Sequence, residues 1–120
     1  ARRYHARAGI GETAAAAPSM NRREERRAEA EQRQREARAR RPFERRIAKI
    51  EEELEALRRE SAGTEAWLAS EAAYEAGNRE RLQETLKRRA AIEARVSLLE
   101  DEWLEAQARL EQALQESREG

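Results

Sequence analysis

The strongest order in the chain is a run of apolar positions that begins at Phe43. Phe43, Ile47, Ile50, Leu54, Leu57, Ser61, Thr64 and Leu68 follow one another at alternating steps of four and three. Helices that pair through an a/d seam show this alternation, because it keeps one stripe facing a partner. The stripe weakens at Ser61 and Thr64, and Gly63 lowers helix propensity nearby. The same spacing returns at Leu82, Thr85, Arg89, Ile92, Val96, Leu99, Trp103, Ala106, Leu110 and Ala113. Leu86, Leu98 and Leu114 widen this second stripe.

Between the two runs, Ser70 has the chemistry to cap a short turn over residues 71–76, and Gly77 supplies a stop. Asn78 is suited to cap the next helix. The pattern predicts a helix over 43–68, a connector over 69–77 and a helix over 78–117, with a polar, fraying end. Two such seams fold back on one another as an antiparallel hairpin. If Leu68 meets Leu82, the later pairs include Leu57 with Ile92, Leu54 with Val96, Ile50 with Leu99, Ile47 with Trp103 and Phe43 with Ala106. No bulge is needed along this register. Ser61 opposite Arg89 reads as a polar layer that fixes it. Leu110 and Leu114 then fall opposite Arg40 and Glu36, so the second helix should reach past Pro42.

Upstream of the seam the pattern changes. Residues 22–41 are charged except for alanines and glutamines, which gives high helix propensity without a large apolar anchor. Proline is tolerated in a first turn but costs about 3 kcal/mol inside a helix, so Pro42 predicts a kink or a fresh start. Residues 1–21, with Gly9, Gly11 and an alanine run into Pro18, read as a flexible linker in which Asn21 caps the following helix. The expected fold is all-α: an antiparallel two-helix coiled-coil hairpin with a basic, Pro42-kinked N-terminal helical extension.

Composition narrows the function. Charged residues are 42% of the 120 and aromatics 4%, too few large side chains for an ordinary compact core. Cysteine is absent and His5 is the one histidine, so a thiol nucleophile, a disulfide or a zinc site is not expected. The isolated glycines form no phosphate-binding loop. Glu51-Glu52-Glu53 and Glu100-Asp101-Glu102 lie beside the seams and read as solvated faces, so no catalytic residue, cofactor or metal is expected in this segment. No apolar run reaches the roughly 20 residues of a membrane helix, and a cytoplasmic location without a membrane partner is expected.

The formal net charge is zero, but its distribution is not even. Residues 22–46 hold eleven Arg and six Glu, and residues 47–120 hold eleven basic and eighteen acidic residues. Arg22, Arg23, Arg26, Arg27, Arg33, Arg38 and Arg41 are therefore the candidate contacts to nucleic-acid phosphates. The competing reading is a solvated helix with internal Arg–Glu pairing. With no stacking aromatics in that stretch, any contact is expected to read backbone shape and not base sequence. Trp67 and Tyr74 fall near the tip of the hairpin, where they either close the core or meet a partner.

One resemblance covers residues 22–116. The arginine-rich lead-in, Pro42, the first seam, the turn Leu68-Ala69-Ser70-Glu71-Ala72-Ala73-Tyr74 and the stretch Glu102-Trp103-Leu104-Glu105-Ala106-Gln107 occur in that order. This resembles the C-terminal coiled-coil extension of bacterial ABC-F ATPases, the Uup and YheS type. That family usually has Asp and often Pro where Ser70 and Glu71 stand, and more lysine. The resemblance implies two upstream ATP-binding cassettes, with ATP and Mg bound there, and a protein that is not a transporter. It also implies a non-catalytic arm whose partners are the ATPase domains of its own chain and ribosomal RNA or other structured nucleic acid. The alternative is a structural or protein-interaction coiled coil with no nucleic-acid role.

Overall fold

A computed structural model describes residues 2–119, with side chains described from residue 19 onward. His5 and the other side chains of residues 1–18 lie outside the described residues. Helix α1 spans Arg2–Leu68 and helix α2 spans Arg79–Glu119, and they pack antiparallel along one another. Two short 3-10 turns, Glu71–Tyr74 and Ala76–Asn78, join them. The molecule is a rod of 107 × 28 × 13 Å. Its core is a single file of seam residues: Ile47, Ile50, Leu54, Leu57, Ile92, Leu99 and Ala106 are buried together, and Val96, Trp103 and Leu110 pack against them. Leu68 is buried near the tip, while Phe43 and Leu82 are half-buried.

The expected register holds from the open end to Leu57. Phe43 lies beside Ala106, Ile50 beside Leu99, and Leu57 beside Ile92 and Val96. At the open end Gln32 donates a hydrogen bond of 3.3 Å to the Ser117 carbonyl, and Arg118 pairs with Glu36 at 3.3 Å. The second helix therefore does pass Pro42 and packs on the basic segment, with Leu110 and Leu114 half-buried against it.

Three local expectations are corrected. First, no fresh helix starts at Pro42: α1 runs through it, so the extension and the first seam helix are one element. Proline removes only its own bond to the Arg38 carbonyl, its ring faces solvent, and α2 packs on both sides of it. Second, α1 begins at Arg2, upstream of the start expected at Asn21. Adding residues to a helix already held by packing needs only propagation, so Asn21 starts nothing. Third, the connector is capped differently. Ser70 makes no side-chain cap to its own turn; its hydroxyl donates to the Trp67 carbonyl at 2.6 Å. The Tyr74 hydroxyl donates to the Leu68 carbonyl at 2.9 Å, one of those left open where α1 ends, while the Trp67 carbonyl also accepts the Ser70 backbone N–H at 3.0 Å. Asn78 reaches back to the Ala72 carbonyl at 2.7 Å, and Gly77 lies inside the second turn with no positive φ.

Candidate nucleic-acid interface

The basic part of α1 divides in two. From residue 19 to residue 29 every residue is exposed, and burial resumes at Ala30 and Gln32 where the last turn of α2 arrives. An unaccompanied arm thus precedes a stretch, 30–41, that has α2 along one side. Arg22, Arg23, Arg26 and Arg27 are on the arm, and Arg33, Arg38 and Arg41 are on the accompanied stretch.

All seven are exposed. None enters an ion pair among the described residues; the arginines that do are Arg40, Arg88, Arg89, Arg95, Arg109 and Arg118. Internal Arg–Glu pairing is therefore made by Arg40 with Glu44 and not by the candidate set. At about 100° per residue, the seven arginines fall within one sector about 160° wide, and Glu24, Glu25, Glu29, Glu31 and Glu36 fall in the remainder. Glu36 faces α2, where hydrogen bonding from Gln32 and the adjacent Arg118 hold its carboxyl below the usual range. The arginine sector runs about 28 Å along the axis at 1.5 Å per residue.

Arginines elsewhere are committed to structure. Arg95 forks onto Glu53 at 2.6 and 3.0 Å, and Arg88 onto Glu60 at 2.5 and 2.7 Å. Hydrogen bonds from these guanidinium groups lower the Glu53 and Glu60 carboxyls, and the carboxylates raise their arginines in turn. Arg81 sits 4.3 Å from the centre of the Trp67 ring. These interactions occupy successive flanking positions on one side of the seam, where charge patterns select register. Arg89, in the seam itself, turns outward to Glu65 and Glu93 at 3.4 and 3.6 Å. The flanking ladder was within reach of the sequence, because the seam register places Glu53 by Arg95 and Glu60 by Arg88.

At the tip, Trp67 is half-buried under Arg81, while Tyr74 is 68% exposed. Among the described residues no helix is long and apolar enough to cross a membrane. No protein-family model matches the sequence, and no curated protein or solved structure matches it.

Proposed function

We propose that this chain is a non-catalytic arm that offers the arginine sector of α1 to the phosphate backbone of structured nucleic acid, ribosomal RNA foremost. The observation that carries the reading is the set of seven exposed arginines without ion-pair partners among the described residues, four of them beyond the reach of α2. A guanidinium left free in water keeps its donors available for phosphate, which it engages as a fork. The resemblance to the ABC-F C-terminal extension points the same way, and with it the arm would serve a parent ATPase with ATP and Mg in its cassettes, in the cytoplasm. The hairpin would then be the mount and the basic helix the contact.

The test is binding of the full chain to a structured RNA across a salt series. With about five phosphates engaged, log affinity should fall against log salt with a slope of roughly −3.5 to −4.5. Replacing Arg22, Arg23, Arg26 and Arg27 by Gln keeps helix propensity and removes four charges. Binding should weaken for every sequence alike, and the slope should flatten by nearly one for each phosphate no longer engaged. A quadruple variant that binds like the parent at all salt concentrations refutes the proposed interface, and absence of binding even at low salt favours the plain structural hairpin.

A further inference from the structure

The two flanks of the hairpin differ. On one, Glu53–Arg95 and Glu60–Arg88 close the seam with paired charges. This first flank keeps a depression of about 350 Å³ beside Glu53 and Ile50. The other flank carries Arg89 pairing with Glu65 and Glu93 toward the tip and, away from it, a larger groove of about 580 Å³ between the helices. Leu54, Trp103 and Leu104 form its apolar wall, and Glu51, Glu55 and Glu100 stand around it. It continues toward the tip as a second depression of about 390 Å³ over Leu57, Ile92 and Val96, with Glu93 and Glu100 beside it. Arg58 is the one basic residue among those lining the two, against four glutamates. Leu104 is 62% exposed although it lies next to the seam, which leaves a large apolar side chain at the rim without cover.

We infer that this groove is a docking site for an amphipathic helix of a partner protein, one carrying a stripe of large apolar residues flanked by lysine or arginine. A helix laid in a groove is held by apolar anchors a turn apart, and the charges beside the groove select its flanks. Charge disfavours one of the two occupants nearest at hand, and the lack of apolar anchors disfavours the other. A second copy laid face to face would set Glu51, Glu55, Glu93 and Glu100 against their own kind. The basic stretch of α1 has the right charge but no large apolar residue between Arg22 and Arg41 to fill the space beside Trp103. A basic helix with leucine-sized anchors satisfies both the wall and the rim. This site is separate from the arginine sector, so either reading can fail without the other.

The experiment uses the full chain carrying Trp67→Phe, which leaves Trp103 as the reporter. The probes are designed helices of about twenty residues, long enough to hold helix on binding. One carries a leucine stripe with lysine flanks, the second the same stripe with glutamate flanks, and the third lysine flanks with an alanine stripe. The first should bind and move Trp103 emission to the blue, and the other two should bind at least about tenfold more weakly. Leu104→Glu should remove binding of the first probe. Glu51→Lys with Glu100→Lys should turn the preference toward the glutamate-flanked probe. The inference is overturned if the alanine-stripe probe binds as tightly as the leucine one, or if no probe binds. It is also overturned if Leu104→Glu changes nothing, or if sedimentation shows a dimer that Leu104→Glu dissolves, which would give the groove to a second copy.

Discussion

Leu99 is the large side chain most fully removed from water, at 1% exposure, and it sits in the middle of the buried file. Cutting it to alanine forfeits transfer free energy and leaves a gap that a straight two-helix core has little means to close over. Leu99→Ala should cost about 2–5 kcal/mol, seen as a lower thermal midpoint by circular dichroism. Leu104→Ala, at an exposed rim position, should change stability by less than about 0.5 kcal/mol. The ladder responds to pH instead. Glu53 and Glu60 are held below the ordinary carboxyl value of 4.5 in the folded chain. Their contribution is therefore present above that value and is lost as pH falls through the lower folded values. The hairpin should lose stability on going from about pH 6 to about pH 3, and Glu53→Gln with Glu60→Gln should reduce the loss. Both pairs are solvent-exposed, so added salt should reduce it too.

At the scale of the elements, α1 keeps two residues that its conformation does not need. A methyl group added at Gly63 meets nothing within 4 Å, and the position is exposed within a helix. Gly63→Ala should stabilise by about 0.5–1 kcal/mol. Pro42→Ala restores a missing helical hydrogen bond at an uninterrupted, exposed site, and should stabilise by up to about 3 kcal/mol. Equilibrium urea unfolding of both variants checks the pair; a destabilised Pro42→Ala would mean that the ring itself is packed. These two residues also show where the sequence was legible. The period of Ile47, Ile50, Leu54 and Leu57 specifies the seam, its register and the end of α1 at Leu68, because burial depends on that period. Pro42, Pro18 and the glycines of α1 suggest fresh starts that do not occur, since local propensity is weak against propagation from a packed helix. Ser70 and Asn78 are recognisable as capping types, but which carbonyl each satisfies depends on the path of the connector. Composition points to the arginines, whereas their freedom from ion pairs is visible only in the structure. The open groove is not legible in the sequence, because its wall joins Leu54 to Trp103 and Leu104 across two helices.

For the whole rod, protection should grade along the axis. The sequence alone makes the entire stretch from Arg22 to Arg40 the least protected helix. Packing divides it, since the tail of α2 reaches Gln32 and Glu36 but leaves residues 19–29 exposed. Hydrogen exchange should therefore show three levels. Amides of 19–29 exchange first, those of 32–41 next, and those between Ile47 and Leu57 last. Removing residues 110–119 should collapse the first two levels into one while sparing the third. Uniform protection over 19–41 would mean that the arm has a partner within the rod.

The unbroken course of α1 through Pro42 also indexes one part of the molecule to another. The arginine sector and the seam share a single helical phase, as teeth cut on one shaft. A residue deleted between Arg27 and Ala30 would turn Arg22, Arg23, Arg26 and Arg27 by about 100° relative to the hairpin while leaving the stretch that α2 packs on in place. The direction in which the guanidinium groups point is thus set by counting residues and not by any interaction at the arm. Whatever docks on the hairpin would determine which way the arginines face.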